Sequence, residues 1–236
     1  MIRIENTDIV GWEHAIVGMR NPLNSWAKSD SSSELTGYCV GKNDHDLMMK
    51  LRNAGTDHRK FMRMIVVYAD ITAPLYWWKE FDTYKVGTVA NSCSTMHKIA
   101  DKEFTLDDFS HEHLVSDEDV CWRDNIMEGP YDEYTPLDFL KQIIGALNTY
   151  REKYLYATKN KLGTVLTAKE LWWQMIQLLP SSYNQKRTVM LNYEVLANIY
   201  KSRKDHKLDE WRSLCDWIET LPYGELITGE DNGDTV

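Results

Sequence analysis

Residues 61–72, FMRMIVVYADIT, are the segment that most constrains the fold, because their β-branched and aromatic residues predict a strand. Pro74 follows closely and suits the first turn of a helix over residues 75–85. Residues 2–6 alternate well enough to predict a second, short strand. Apolar residues at helical spacing predict further helices over 8–19, 43–54, 136–159, 167–178, 185–203 and 206–220. These elements predict one α+β domain over residues 1–228 and a polar tail at 229–236.

The charge of the chain limits the class of ligand. The 236 residues carry a formal net charge of −9, which argues against a general nucleic-acid binder, since phosphate contacts need clustered Lys and Arg. A small anion in a local basic pocket is compatible with an acidic surface. No stretch approaches the roughly 18 apolar residues of a membrane span. The four cysteines form no CxxC pair, so we expect reduced thiols and a cytoplasmic protein.

Two polar residues in the predicted helix 185–203 indicate a binding site. Asn192 and Arg203 are eleven residues apart, so they are nearly eclipsed on a face that also carries Leu196 and Ile199. Burying an unpaired amide costs roughly 1–3 kcal/mol, and a guanidinium costs more, so both need a partner. The partner is either an anionic, ring-bearing ligand or the protein itself. In the second case Asn192 or Arg203 binds a helix end, or Arg203 pairs with an acid at 205, 209 or 210.

The same stretch resembles the flavin-dependent thymidylate synthases. That family carries a Leu-Pro pair and then a helix of the type N-A-R-S-L-x-N-F-L-x-L-R. The matching residues here are Leu179-Pro180 for the pair and Asn192, Leu196, Asn198 and Arg203 for the helix, without gaps. The resemblance implies flavin and nucleotide binding by this helix. Glu194 departs from the pattern, because the family has Arg there.

A second signature of the family, R-H-R-x-x-S-x-N-E-x-S-x-R, follows a strand and an A-P-[IL]-[FY] entry. The entry is present as residues 73–76, APLY, which places the signature on residues 83–95, TYKVGTVANSCST. Thr83, Tyr84 and Thr95 replace the family's Arg, His and Arg, and the upstream Arg-Gln pair is Lys79-Glu80. The chain therefore resembles a divergent member of the family, one that lacks the Arg-His-Arg signature. Cations that could compensate for the lost charge are Lys79, Lys85, Lys186 and Arg187.

The resemblance implies a homotetramer with an α+β fold, in which a central antiparallel sheet is flanked by helices and the C-terminal half is helical. It implies methylation of dUMP or a related pyrimidine nucleotide, with FAD as cofactor and methylenetetrahydrofolate and NADPH as cosubstrates. Carried over by position, the implied catalytic residues are Arg203 and Lys85. The implied cofactor-binding residues are Asn192, Asn198, Thr88 and Asn91. The implied substrate-binding residues are Arg203, Lys79, Glu80 and Cys93, and an N-terminal segment adds Arg20, Asn24 and Ser25 as candidate pocket residues.

Two other functions remain open at the level of sequence. The missing Arg-His-Arg group is compatible with a flavin-independent variant that transfers the one-carbon unit and gives a hydroxymethylated pyrimidine. The other possibility is a non-catalytic homologue that binds a nucleotide.

Three local features allow two interpretations each. Cys93 is a candidate nucleophile or a neutral replacement of the family's Ser. Residues 76–78, YWW, could stack on a flavin or base, or pack in the core. Residues 111–113, HEH, lack the helical spacing and third ligand of a metal site, so no metal is predicted.

Overall fold

The computed structural model describes residues 2–35, 37–117, 122–123, 133–160 and 166–229. The strands are β1 (Arg3–Val10), β2 (Ser32–Glu34), β3 (Gly37–Cys39), β4 (Val66–Pro74), β5 (Val89–Ser92), β6 (Trp122–Arg123), β7 (Glu133–Tyr134) and β8 (Asn184–Asn192). The helices are α1 (Trp12–Arg20), α2 (Lys42–Asn53), α3 (Leu75–Phe81), α4 (Thr95–Lys98), α5 (Pro136–Asn160), α6 (Ala168–Leu178), α7 (Tyr193–Arg203), α8 (Asp209–Glu219) and α9 (Glu225–Thr228). Short 3-10 helices lie at Asn21–Leu23, Trp26–Lys28, Arg59–Arg63 and Leu106–Asp108. Among these described helices, none has the length and hydropathy needed to cross a bilayer.

The strand that the sequence predicts most strongly, β4, lies inside a four-stranded sheet of order β1-β4-β8-β5. β1 pairs with β4 and β5 pairs with β8, both antiparallel. Val67, Ala69 and Ile71 alternate along β4 and are almost completely buried, as expected where one face of a strand meets the core. The predicted α+β fold with an antiparallel sheet is confirmed.

The chain divides into two compact units. The first comprises Ala73–Trp78 and Cys93–Gln185 and contains helices α5 and α6. Its core cluster includes Phe104, Phe109, Leu140, Leu147 and Met175.

The second unit comprises Ile2–Thr72, Lys79–Ser92 and Lys186–Val236. It contains the β1–β4 and β5–β8 pairings and helices α1, α2, α7, α8 and α9. Its buried side chains include Trp12, Ile16, Leu196, Trp211 and Leu226. The single domain over residues 1–228 stays a prediction, and residues 230–236 of the tail lie outside the described residues.

The predicted helix 185–203 is wrong in its first half, because residues 184–192 form strand β8 and α7 begins only at Tyr193. Val189 and Leu191 are buried while Thr188 is exposed, which is the two-residue period of a strand. The β-branched pair Thr188-Val189 favours this conformation. Over so short a run, the apolar residues fit either period, and pairing with β5 decides between them.

The starts of α1 and β4 also differ from the sequence prediction. Residues 8–10 belong to β1, and the helix predicted over 8–19 begins at Trp12, after Gly11 at φ 98°. Residues 61–63 belong to a 3-10 helix, so the strand predicted from residue 61 begins at Val66.

Candidate functional site

The signature segment lines an open cavity that we call the signature-loop pocket. It is lined by Phe81, Asp82, Tyr84, Lys85, Thr88, Ala90 and Arg187, and its volume is about 370 Å³. α3 supplies Phe81 at its end, the following loop supplies residues 82–88, β5 supplies Ala90 and β8 supplies Arg187. The antiparallel pairing of β5 with β8 therefore brings Arg187 beside the signature segment, with Ser92 opposite it in register.

The charges around the signature-loop pocket are mostly positive. Arg187 Nη1 donates to Asp82 Oδ1 at 2.7 Å, and the Arg187 side chain is only 15% exposed. Lys85 is exposed, and no acidic group in the described part of the chain forms an ion pair with its ammonium. The lining therefore carries two cations, Lys85 and Arg187, and one carboxylate, Asp82.

Thr88 lines the same pocket and carries an unsatisfied hydroxyl. Its Oγ1 is buried and has no hydrogen-bond partner among the described residues. A buried hydroxyl without a partner costs roughly 1–3 kcal/mol, so this donor destabilises the chain as long as it stays unsatisfied.

Arg203, at the end of α7, belongs to a cluster that adjoins this pocket through Tyr84. Its Nη1 donates to Glu80 Oε2 at 2.7 Å, and its Nε donates to the Tyr84 hydroxyl at 2.9 Å. The guanidinium also lies over the Trp211 ring, 4.5 Å from the ring centre. Of the two partners considered for Arg203, the protein itself therefore provides one, through an ion pair with Glu80, an acid that the sequence did not indicate.

Asn192 is not on a helical face with Arg203, which corrects the eclipsed stripe expected from the sequence. It is the extended N-cap of α7, and its Oδ1 accepts a hydrogen bond from the Val195 amide at 3.0 Å. Its amide nitrogen lies against Gly87, where an added Cβ would come within 2.8 Å of it. Gly87 has φ 77°, so the loop needs glycine both for its conformation and for this close approach.

The other predicted site residues of this unit lie apart from the signature-loop pocket. Asn198 is exposed and lines a different cavity, where Arg59 Nη2 lies 3.5 Å from its Oδ1. Asn91 is exposed on β5 opposite Thr188, and Lys79 is exposed. Lys186 pairs with Asp70 at 3.0 Å.

Cys93 and the aromatic run belong to the first unit. The Cys93 side chain is exposed, and its carbonyl accepts a hydrogen bond from Gln185 Nε2 at 3.1 Å. Trp77 and Trp78 are almost completely buried with their rings 4.8 Å apart, so the core interpretation of this run is correct. His111 Nδ1 lies 2.8 Å from the Phe109 carbonyl oxygen.

The N-terminal candidates serve the framework. Arg20 is 4% exposed, its Nε donates to Asp44 at 2.6 Å, and its other nitrogens donate to the carbonyls of Ser25 and Lys28. Ser25 lines an apolar cavity of about 510 Å³, and Asn24 is an exposed residue at φ 48°.

Asp82 and Trp211 are site residues that sequence reasoning missed. Asp82 directly precedes the signature segment. An acid there does not by itself indicate a site, because its partner Arg187 is distant in sequence. Trp211 is buried behind Arg203, and its Nε1 donates to Glu80 Oε2 at 3.0 Å. The signal that could have located Arg187, the partner of Asp82, was the two-residue period of residues 184–192. In a strand, this period directs Arg187 and Lys186 to opposite faces of the sheet.

Solved structures with the same fold are found, although no family model matches the chain and no curated protein does. The ThyX thymidylate synthase of Helicobacter pylori, solved with FAD and dUMP, superposes with a TM-score of 0.62 at 14% identity, over 97% of this chain and 98% of that one. The chain has the ThyX fold. The UMP/dUMP methylase PolB of Streptomyces cacaoi, bound with 5-Br dUMP, superposes with a TM-score of 0.52 at 13% identity, over 93% of this chain and 89% of that one.

The resemblance predicted from the two signatures is therefore confirmed at the level of the fold. Within this ThyX-like chain, the positions of the Arg-His-Arg signature fall on Thr83, Tyr84 and Lys85. Tyr84 and Lys85 line the signature-loop pocket, so the segment keeps its place beside a cavity while its side chains differ.

Proposed function

We propose that this protein is a one-carbon transferase that acts on a pyrimidine mononucleotide, with dUMP as substrate and the signature-loop pocket as its phosphate site. The observation that carries the proposal is the convergence of Lys85, Arg187 and Thr88 around one cavity, together with a buried Thr88 hydroxyl that has no partner among the described residues. The ThyX fold supports it, because two solved proteins with this fold, the H. pylori ThyX and the S. cacaoi PolB, are enzymes of dUMP or UMP.

The pocket matches a phosphate in charge and in hydrogen-bond donors. The Lys85 ammonium and the Arg187 guanidinium supply positive charge, and the Thr88 hydroxyl supplies a donor that has no other use among the described residues. Asp82 holds Arg187 in place through Nη1. Charge-assisted hydrogen bonds of this kind contribute roughly 1.5–3 kcal/mol each.

Arg203 acts in this proposal as a positioning residue. Its hydrogen bond to the Tyr84 hydroxyl fixes a ring that lines the pocket, while Glu80 and Trp211 fix Arg203. Lys85 is the residue that contacts the nucleotide directly.

The size of the pocket favours a mononucleotide over a dinucleotide. Its volume of about 370 Å³ is at the lower end of the roughly 300–1,000 Å³ of ligand pockets. A mononucleotide is of a size that this cavity can hold, whereas FAD is larger than the cavity that one chain provides. FAD, methylenetetrahydrofolate, NADPH and the homotetramer stay predictions from the resemblance.

The product distinguishes the candidate reactions. A methylene group enters the pyrimidine ring at the oxidation level of formaldehyde. A methyl product needs one hydride from a reductant, whereas a hydroxymethyl product needs only water. A non-catalytic homologue binds the nucleotide and releases it unchanged.

The binding test compares the parent protein with Lys85→Gln by isothermal titration with dUMP. We expect the variant to bind about tenfold more weakly, equivalent to about 1.4 kcal/mol, because it loses one charge-assisted contact. Lys50→Gln is the matched control, since Lys50 is exposed on α2 and does not line the pocket. Equal dUMP affinity in parent and Lys85→Gln would show that the phosphate site is wrongly assigned.

The activity test incubates the protein with dUMP and methylenetetrahydrofolate, with and without FAD and NADPH. Mass spectrometry separates the methyl product, the hydroxymethyl product and unchanged dUMP. A methyl product that appears only with FAD supports the flavin-dependent reaction, and a hydroxymethyl product without FAD supports the flavin-independent one. Unchanged dUMP under both conditions contradicts the transferase proposal.

A further inference from the structure

A second cavity in the same unit is markedly basic, and we call it the basic pocket. Its polar lining includes Arg52, Arg59, Asn198, Tyr200, Lys201 and Lys204, and its volume is about 190 Å³. Arg52 comes from α2, Arg59 from the 3-10 helix Arg59–Arg63, and the two lysines from α7 and the residue after it. Four cations therefore meet at one cavity in a chain whose net charge is −9.

The positive charge of the basic pocket is compensated only in part. None of the described residues that line it is acidic. Arg59 is the cation with an ion pair, since its Nε lies 3.3 Å from Glu194, which Arg63 also contacts. For Arg52, Lys201 and Lys204, the described residues offer no carboxylate within ion-pair distance.

Arg52 is held in the pocket by neutral groups. Its Nε and Nη2 donate to the carbonyls of Leu226 and Ile227 at 3.2 Å, and its Nη1 donates to the Asn53 side chain at 3.0 Å. Burial and the like charge of Arg59 lower the pKa of Arg52 below its usual range. Holding like charges together disfavours the empty pocket, and a bound anion relieves that repulsion.

The chemistry of the lining favours phosphate. Arginine guanidiniums present planar pairs of N–H donors that match phosphate oxygens, and lysine adds a point charge. The cavity of about 190 Å³ is below the roughly 300–1,000 Å³ of complete ligand pockets, so it suits a phosphate group or a diphosphate but not a nucleoside as well.

We propose that the basic pocket is a second anion site, which binds the phosphate or diphosphate group of a small molecule. It shares no lining residue with the signature-loop pocket, so the two sites can be tested separately. The proposal does not depend on the transferase function, since it follows from the charges and shape of this cavity alone. Inorganic diphosphate and the diphosphate of a nucleotide present the same kind of charged oxygens to these side chains.

The test is an isothermal titration of the full chain with inorganic pyrophosphate. Lys201→Gln/Lys204→Gln is the informative double variant, because both lysines are exposed and the neutral amide keeps most of the side chain. We expect it to bind pyrophosphate at least tenfold more weakly than the parent. Lys207→Gln is the matched control, since Lys207 is also exposed, is close in sequence and does not line the pocket.

Titration with ADP and with pyrophosphate then separates the two sources of a diphosphate. Tighter binding of ADP that is lost in the double variant supports a nucleoside diphosphate, whereas tighter binding of pyrophosphate supports the inorganic ion. Three results overturn the proposal: no binding of pyrophosphate by the parent, equal binding by the double variant, or loss of binding in Lys85→Gln. The last result would place the anion in the signature-loop pocket, and it would leave the proposed function intact.

Discussion

Arg203 and Glu80 form an ion pair beside the buried ring of Trp211. Arg203 Nη1 lies 2.7 Å from Glu80 Oε2, and Trp211 Nε1 donates to the same oxygen at 3.0 Å. The two partners are 123 residues apart in sequence. Arg203 is the residue that the helix signature singles out, and Glu80 stands where that family has Gln, so the departure from the family pattern supplies the partner of the signature arginine.

Arg203→Ala tests the positioning role of this pair. The change removes the donor to the Tyr84 hydroxyl, so we expect the increase in melting temperature caused by dUMP to disappear. The free energy of unfolding should fall by only about 1 kcal/mol, because the pair is partly exposed. Differential scanning fluorimetry with and without dUMP measures both effects. If dUMP raises the melting temperature of Arg203→Ala as much as that of the parent, the positioning role of Arg203 is refuted.

Thr88→Val separates the stability of the pocket from its affinity. Valine has nearly the shape of threonine without the unpartnered hydroxyl, so the unliganded variant should be about 1 kcal/mol more stable. Its dUMP affinity should fall severalfold, because the donor to phosphate is lost. Chemical denaturation measures the change in stability, and isothermal titration measures the change in dUMP affinity.

Thr72→Val is the matched control for the gain in stability and the loss of dUMP affinity expected of Thr88→Val. Thr72 also carries a buried hydroxyl without a partner among the described residues, but it lies on β4 and does not line the pocket. It should gain stability while its dUMP affinity stays unchanged. A loss of affinity in Thr72→Val equal to that in Thr88→Val would mean that neither hydroxyl reports on the site.

Gly87→Ala tests the close approach between the signature loop and Asn192. Gly87 has φ 77°, and an added Cβ would meet Asn192 Nδ2 at 2.8 Å and Val195 Cγ2 at 3.1 Å. We expect a loss of about 2 kcal/mol in the free energy of unfolding, from backbone strain together with the displaced cap. Gly55→Ala is the comparison, because Gly55 has φ 108° with nothing within 4 Å of the added Cβ. Equal losses at the two positions, measured by urea denaturation, would mean that backbone strain alone accounts for the effect.

Asp44→Asn tests a buried charge that shapes the acid stability of the protein. Burial raises the pKa of Asp44, but hydrogen bonds from Ser29, Ser31 and Arg20 lower it by more, so the net pKa lies below its usual range. A carboxyl with a lowered pKa stabilises the fold above its unfolded pKa of about 3.9, and this contribution is lost as the pH falls through the folded pKa. The variant should lose about 3 kcal/mol at neutral pH and should depend less on pH below about pH 4.

Urea denaturation at neutral and acid pH measures this difference. Asp46→Asn is the control, because its ion pair with Lys42 is exposed and should contribute little to stability. An acid dependence of Asp44→Asn as steep as that of the parent would contradict the assignment of this charge.

Glu194→Arg restores the residue that the family carries in this helix. Glu194 is 7% exposed and contacts both Arg59 and Arg63, so the change places a third cation beside two others. We expect a loss of about 3 kcal/mol in the free energy of unfolding. Adding Arg63→Glu should recover part of it, and thermal or chemical denaturation of the single and double variants measures the recovery. No recovery would mean that Glu194 is not needed as a counter-ion.

Local residue patterns were sufficient to predict the elements whose patterns are long or strongly biased. The β-branched run of β4, the proline entry to α3 and the periodic helix predicted over 136–159, found at Pro136–Asn160, all follow from neighbouring residues. The two signatures also located the segments that form the signature-loop pocket and the Arg203 cluster. Each of these inferences depends on residues that are close together in the chain.

Contacts between distant parts of the chain were needed to establish that residues 184–192 form a strand and that Asn192 caps a helix. They were also needed to show that Glu80 holds Arg203 and that Arg187 joins Lys85 at one cavity. A short apolar run fits both the strand and the helix period, and pairing with a distant strand selects one of them. Ion pairs are likewise chosen by distance in space, and residues 123 positions apart give no sign in the sequence that they meet.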